Sequence, residues 1–496
     1  MHGRIDGGEK LAPTTCDEQE RGMATQIPAD ARASLHRFAF LPAWLAAAAD
    51  PERIGAALVR HEPQLALGRV TVKRLRLNRR EASWTGRYEV TVAGPDGVAR
   101  AVALLGTVYP PTAVPAADGP GATPFGAPGW RRVLPELGLE LTSAPAEAAA
   151  LPALPVLTDP ARARALLEEQ LRAAAPAHAG LRLAGANPRV VRSKPGNRCT
   201  ILYDLAYPPG ADGPSLVVAK AYRGDKGRNA WDGMRALWAS PLAAGDVVTI
   251  AEPLAYIPEL GVLVQGPVGE RQTLKQLIRA ALTAGTTDAM AQLDDAMDRT
   301  AAGLAALHTC AVHHGDPVTL ADELAELRGV LRTLTAAVPD LADAATPLLA
   351  TVEELATRQP PDPARPSHGS FRPGQVLLDG DRIAFIDFDD ICQAEPAMDL
   401  ALFMSSVKGA GLIEARDGTA AGRAAAEQRL IQLHRLCARF LDRYQTLAPV
   451  SGERIALWET VMLLGDLVQT WTKVAPAKVA PAMLLVEHHL EMSGLA

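Results

Sequence analysis

The sequence predicts an α+β protein of two lobes, a small one built on an antiparallel sheet and a larger, mainly helical one, with an extra N-terminal α/β extension. Three observations predict it. Between residues 185 and 266, short runs alternate apolar with polar residues, the period of half-buried strands. Past Gly266 long helical patterns take over, over residues 267–496. Ahead of both, residues 34–109 carry two helical stretches and then three strand-like runs of their own.

Composition bounds the function. The 496 residues are 48% hydrophobic and 21% charged, a globular balance with ample core. Fifty Lys+Arg against 56 Asp+Glu leave a net charge of −6, so no nucleic-acid partner is expected. The five cysteines, Cys16, Cys199, Cys310, Cys392 and Cys437, show no metal-ligand spacing and are odd in number. Neither a disulfide framework nor a zinc site follows, and a reducing, cytoplasmic location is expected. The apolar run from Phe38 to Ala49 is broken by Pro42 and is too short to span a bilayer, so no membrane partner is expected. Residues 1–33 are polar, lack the apolar centre of a leader peptide, and read as a disordered tail in which Met23 is an alternative start.

The elements follow in order. Helices are expected over Leu35 to Ala66, with a break at Asp50–Pro51, where Asp caps and Pro opens a helix. Strands follow at Arg69–Lys73, Tyr88–Val92 and Val98–Val108, with Asp96–Gly97 as a hairpin turn. Residues 110–184 read as a connector: a Pro/Gly-rich stretch to Gly129, then a helix from Ala161 to Ala175 behind Asp159–Pro160. The second strand block holds Arg189–Ser193, Thr200–Tyr207 and Leu216–Tyr222, then a helix from Arg228 to Ala239 and strands near Val247–Ala251 and Gly261–Gln265. Setting Tyr88 on Tyr203 also aligns Thr85 with Thr200 and Glu89 with Asp204. The first block is then either a degenerate copy of the second or an unrelated meander. Helices are expected at Thr273–Ala284, Ala289–Leu307, Leu320–Ala337, Leu341–Arg358 and throughout the chain after Pro396, with one β interruption from Gln375 to Phe388.

That interruption carries the chemistry. His368–Gly369–Ser370 opens a loop, Gln375–Asp379 a strand, Asp379–Gly380–Asp381 a turn, and Ile386–Asp387–Phe388–Asp389–Asp390 closes the return strand in carboxylates. Carboxylates directly after an apolar strand need water, a cation or a basic partner. A plain hairpin with a solvated acidic end satisfies the same cluster. A second His-Gly-Asp, His314–Gly315–Asp316, lacks a following hairpin and reads as a loop before a helix, and His308 reads as a packed or capping residue.

The arrangement resembles the aminoglycoside phosphotransferase and choline kinase-like family, relatives of protein kinases. Its pattern is His-Gly-Asp, four residues, Asn, a hairpin, then Ile-Asp with Phe or Trp. His368–Gly369 and Ile386–Asp387–Phe388 match, and Glu395–Pro396–Ala397–Met398–Asp399–Leu400–Ala401 resembles the segment whose Asp braces the catalytic loop. The resemblance implies a bilobal protein-kinase-like fold over about residues 185–490, ATP and Mg²⁺ as cofactors, and a small-molecule hydroxyl as acceptor. It implies a phosphate-pairing lysine at Lys220, a nucleotide-covering loop over Lys194–Thr200 with Gly196 and Asn197 as binding residues, and an adenine hinge over Val262–Pro267 with Val264 and Gly266 as binding residues. Asp232 falls where the family often has the lysine's Glu partner, although a solvated helix face is the simpler reading.

Two positions depart. The catalytic base is replaced by Ser370, which cannot take a proton as a carboxylate can. The metal-binding Asn is replaced by Gln375, while Asp387 is kept as catalytic and metal residue beside His368. Asp389 or Asp390 is the substitute base that the sequence offers. Two functions stay open: an ATP/Mg²⁺-dependent phosphotransferase, or a pseudokinase that binds nucleotide or a protein partner, with the N-terminal extension as the partner surface. The acceptor is not legible; Trp458, Glu459, Asp466 and Trp471 on one late helix are candidates for its pocket, with core packing and solvated faces as the plainer reading.

Overall fold

The computed structural model describes residues 29–94, 97–116, 123–144, 151–174, 178–194, 196–211, 213–412 and 420–493. Most of the expected tail (residues 1–28), Cys16, Asp96 of the expected turn and Pro195 of the expected loop lie outside them. The tail's last residues are helical: α1 is Ala29–Ser34.

The first sheet follows α2 (Ala43–Ala47) and α3 (Pro51–His61). Asp50 caps α3 by accepting from the Glu52 and Arg53 amides at 2.9 and 3.3 Å, with Pro51 in the first turn. Strands β1 (Leu67–Asn78), β2 (Ser83–Ala93) and β3 (Ala99–Val108) form the expected meander. Two more strands, β4 (Arg131–Leu134) and β5 (Leu139–Ser143), complete the antiparallel order β1-β2-β3-β5-β4. The expected connector over 110–184 is thereby corrected. Its strands are four and five residues long and are split by Pro135–Gly138, too short to show alternation.

The second sheet repeats the plan. Helices α4 (Leu154–Leu157) and α5 (Pro160–Ala174) precede β6 (Gly185–Lys194), β7 (Arg198–Ala206) and β8 (Leu216–Tyr222). Then come α6 (Lys226–Trp238), α7 (Pro241–Ala244), β9 (Thr249–Ile250), β10 (Pro253–Ile257) and β11 (Val262–Gln265), with sheet order β6-β7-β8-β11-β10. Registers coincide: Thr85 faces Thr107 as Thr200 faces Lys220, and Val108 faces Leu139 as Ala221 faces Val262. Both sheets turn through Pro-Glu-Leu-Gly, where Gly138 and Gly261 take φ of 58° and 59°. A Cβ there would lie 2.8 Å from the Tyr109 carbonyl oxygen and 3.0 Å from that of Tyr222. The buried tyrosines match too. Tyr88 donates to the Ala48 carbonyl at 3.1 Å and Tyr203 to the Leu157 carbonyl at 2.6 Å, each two residues ahead of an Asp-Pro helix start. The sequence echo is therefore a structural one, and it extends to residue 143.

The remaining elements build the helical lobe. Strand β12 (Gln272–Thr273) leads into α8 (Leu274–Ala284), α9 (Thr287–Thr309), β13 (Pro317–Val318), α10 (Leu320–Ala337) and α11 (Ala342–Arg358). After β14 (Arg365–Ser367) comes the hairpin of β15 (Val376–Asp379) and β16 (Arg382–Phe385), and then β17 (Cys392–Ala394). Helices α12 (Pro396–Leu412), α13 (Ala420–Gln445), α14 (Gly452–Thr472) and α15 (Pro476–Met492) close the chain. Strand β9, expected with the second block, instead pairs with β16 in the helical lobe.

The first sheet packs on the helical lobe. Buried residues of β1–β5 share one apolar core with α14 and α15, whereas α5 and the facing side of the second sheet form a separate core. The Trp84 indole donates to the Trp471 carbonyl at 3.0 Å, and the Trp471 indole to that of Phe38, also at 3.0 Å. Among the described residues no helix is long and apolar enough to cross a membrane.

Candidate functional site

Strand alternation places the first cation. On β8, Val217, Ala219 and Ala221 face α5, so Lys220 and Tyr222 point to the opposite side, toward the helical lobe. There they meet the end of the β15–β16 hairpin. Lys220 Nζ donates to Asp387 Oδ1 at 2.9 Å and lies 3.5 Å from Asp389; the Tyr222 hydroxyl donates to Asp389 at 2.6 Å. Arg198, the first residue of β7, reaches the same pair, donating to Asp387 at 3.0 Å and also to Asp389. Burial alone would raise the Asp387 carboxyl, but Lys220 and then Arg198 hold it well below the usual carboxylate range. Burial, reinforced by Asp389, keeps the Tyr222 hydroxyl protonated far above its ordinary value.

Asp387 itself has φ 74° and ψ 48°. This left-handed conformation, which Asp tolerates better than most side chains, turns the chain out of the hairpin. The preceding loop is held from below. Buried Asp399, on α12, accepts from the His368 amide at 2.6 Å and the Gly369 amide at 3.1 Å. Its own burial would raise it, yet His308, donating at 3.2 Å, keeps it below its ordinary value. His308 also meets the Tyr444 hydroxyl at 2.7 Å, so it is a packed, orienting residue as expected. Gly369 has φ 78°, and a Cβ would fall 1.8 Å from the Asp390 carbonyl oxygen, so only Gly fits.

A cavity of about 800 Å³ opens between the β6–β7 turn, the hairpin end and α12, α14 and α15. Asn197, Arg198, Ser370, Gln375, Asp387 and Asp466 are among its lining residues. Gln375 donates to the Ser370 hydroxyl at 3.4 Å, while its buried Oε1 has no hydrogen-bond partner. An unpartnered amide oxygen in the same cavity lining as an ionised carboxylate fits a hard cation such as Mg²⁺, which takes few protein oxygens and fills its shell with phosphate and water. Among the described residues no three His, Cys, Asp or Glu side chains gather as a metal cluster; Gln375 Oε1 is unpartnered, whereas Asp387 is bonded by Lys220 and Arg198.

Several expected residues sit elsewhere. His368 is fully buried, its ring 4.7 Å from Phe388 and 5.4 Å from Phe371, with Nε2 hydrogen-bonded to the Ile386 carbonyl at 3.0 Å. It braces the loop and does not line the cavity. Lys220, Val264 and Gly266 do not line it either; buried Lys220 meets it only through Asp387. Val264 is a ladder residue between β8 and β10, and the Gly266 amide already donates to the Glu252 carbonyl at 2.8 Å. Gly196 forms the β6–β7 turn with φ 69°, which places its neighbour Asn197 at the cavity. The substitute bases are engaged: Asp389 as above, and Asp390 by Lys226 at 2.6 Å. Asp232 pairs with Arg228 on an exposed helix face, as the simpler reading had it. Trp458 and Trp471 are core residues, and Glu459 is buried against Lys408 at 2.6 Å. Arg198 and Tyr222 were missed, because a loop or strand-end residue gives no periodic sign of what it faces.

The sequence pattern of the phosphotransferase enzyme family matches residues 235–433. No curated protein matches the chain. Similar solved structures include a choline/ethanolamine kinase family protein from Mesorhizobium loti, at 15% identity, TM-score 0.42, covering 67% of this chain and 99% of that one. A glucosamine kinase in complex with glucosamine, ADP and inorganic phosphate is 18% identical, TM-score 0.44, covering 90% and 99%. An aminoglycoside phosphotransferase with ADP and hygromycin B is 14% identical, TM-score 0.41, covering 67% and 98%. Residues 235–433, which hold Ser370, Gln375, Asp387 and Asp399, thus carry the pattern of the phosphotransferase enzyme family, the kinase-like family whose resemblance the His-Gly loop and Ile-Asp-Phe hairpin implied.

Proposed function

We propose that the chain binds ATP with Mg²⁺ in this cleft and transfers phosphate to the hydroxyl of a small molecule. The observation that carries the reading is the 2.9 Å contact of Lys220 with Asp387 at the wall of a cavity that also holds Ser370 and Gln375. In this reading Lys220 and Arg198 neutralise nucleotide phosphates, and Asp387 with Gln375 Oε1 holds the metal. When bound, Mg²⁺ supplies charge neutralisation for the transferring group. Asp399 fixes the loop that carries Ser370, so the hydroxyl acceptor meets a Ser–Gln pair instead of a carboxylate. Because phosphoryl transfer relies chiefly on positioning and charge, loss of the base slows turnover by about 10²–10⁴-fold without abolishing it.

A second reading, a nucleotide-binding pseudokinase, is favoured by Ser370 and by Arg198, whose guanidinium bonds the carboxylate meant for the metal. One experiment separates the two. Mg-ATP should bind in calorimetry, Asp387→Asn should remove the metal dependence, and Ser370→Asp should raise ATP turnover with a panel of alcohols by up to about 10²–10⁴-fold. Binding without turnover in either form assigns the pseudokinase; no ATP binding at millimolar concentration overturns both.

A further inference from the structure

The cavity continues beyond the Asp387 end, and its far wall is cationic. Lys275 at the start of α8, Arg372 in the loop ahead of the hairpin, Lys473 at the end of α14 and Lys478 on α15 all line it, with Asp466 on α14 as the lone carboxylate of that wall. At the other end the lining cations Arg198 and Lys226 have carboxylate partners, and Arg192, Lys194 and Arg223 border the cavity there as exposed side chains. On the far wall, among the described residues, the side chains of Lys275, Arg372 and Lys478 make no hydrogen bond or ion pair, and Lys473 donates only to the Gln469 amide. Crowding shows in their electrostatics. Burial, and then Arg279, Lys478 and Arg372, lower Lys275 from its ordinary value. Burial, and then Arg76 of the first sheet, lower Lys473 to about 8. Asp466 lies among them, raised by burial although Arg372, Lys473 and Lys478 pull it down. One carboxylate does not offset four converging cations, and their mutual repulsion is relieved when an anion enters.

We propose that the acceptor is itself an anion: a small hydroxylated molecule whose phosphate or carboxylate group is seated by Lys275, Arg372 and Lys478. This rests on the phosphotransferase reading and names the substrate class of that site. Arg372 offers a planar fork suited to an oxyanion, and the two lysines add compact charges on the same wall. Asp466 is the acceptor there for a substrate hydroxyl. An ammonium-bearing molecule of similar size would face these charges without gain, so the wall also selects against cationic acceptors.

The test uses three probes of one skeleton, glucose, gluconate and glucose 6-phosphate, titrated calorimetrically into the full chain at low salt. At least one anionic probe should bind at least tenfold more tightly than glucose. Preference for glucose 6-phosphate alone assigns a phosphate seat, and for gluconate alone a carboxylate seat. The preference should fall about tenfold per cation in Lys275→Gln and Lys478→Gln and vanish in the double variant. Lys478 is exposed and Lys275 half-buried, and circular dichroism checks that the variants fold. Equal binding of all three probes, or a preference that survives the double variant but disappears in Arg198→Gln, overturns the proposal. Mg-ATP titrated into the same samples separates the two readings. Anion preference without ATP binding keeps the anion seat and discards the phosphotransferase; ATP binding without anion preference does the reverse.

Discussion

The first and second sheets share strand order, register and the Pro-Glu-Leu-Gly turn, yet only the second meets the Asp387 hairpin. Three matched positions account for much of the difference. Where the second sheet has Arg198, Cys199 and Lys220, the first has Ser83, Trp84 and Thr107. Arg198 and Lys220 reach carboxylates across the cleft, whereas Trp84 anchors its sheet to α14. Between the third strand and the turn, the second sheet also inserts α6, which borders the hairpin, while the first has only a short 3-10 turn among its described residues. A backbone plan is thus neutral as to use; a few side chains and the surface that the sheet faces decide whether it builds a cleft or a buttress.

Exchanging matched residues tests that account. The largest effect is expected from Trp84→Cys, the residue of the second sheet. Removing a fully buried indole and its hydrogen bond should cost about 3–5 kcal/mol in denaturant unfolding. A loss below about 1 kcal/mol would mean that the sheet is anchored elsewhere. Next, Lys220→Thr should weaken ATP binding about 100-fold by calorimetry, because it removes a phosphate partner and leaves Asp387 to Arg198 alone. Thr107→Lys should restore nothing, since no carboxylate hairpin faces it. Gly138→Ala and Gly261→Ala sharpen the likeness instead of the difference. Each forces a Cβ into a left-handed turn beside a carbonyl, and each should cost about 1–3 kcal/mol by thermal unfolding. Values differing by more than about twofold would show that the two turns are not equivalent.

Acid should separate the sheets more gently. The folded pKa of Asp387 is depressed, chiefly by Lys220 against its own burial. Its contribution is therefore complete above the unfolded carboxylate value of about 3.9 and is lost as the pH falls through the folded one. The first sheet rests on α14 through indole hydrogen bonds and apolar packing, which acid does not titrate; its buried Arg132–Glu62 pair ties β4 to the end of α3 and not to β2, and its exposed Arg79–Glu326 pair adds little. Below about pH 4, amide exchange should quicken in β8 before β2; the opposite order would break the comparison.

Much of this was legible locally. The hairpin and the long helices announced themselves through turn chemistry and period: Leu320–Ala337 and Leu216–Tyr222 form over the residues expected. Asp399 was expected to brace the loop, and its carboxylate accepts two of the loop's amides. Other elements left no such trace. Strands β4 and β5 exist because β3 offers a free edge, not because four residues alternate. Strand β9 joins β16, far along the chain, by a pairing that two residues cannot signal. Val264 and Gly266 were expected at a hinge from their order in the chain, but Val264 is a ladder residue and the Gly266 amide donates to Glu252.

By itself the sequence determined the long helices, most of the strands, the hairpin with its carboxylates, and the two departures at Ser370 and Gln375, because periodicity, turns and motif spacing belong to neighbouring residues. Only the tertiary structure decided that Arg198 shares Asp387 with Lys220, that Trp84 carries the first sheet onto α14, and that Lys275, Arg372, Lys473 and Lys478 converge on one wall. Those groups come from distant parts of the chain, and the free energy of a charge or an indole depends on what surrounds it after folding, which no local pattern encodes.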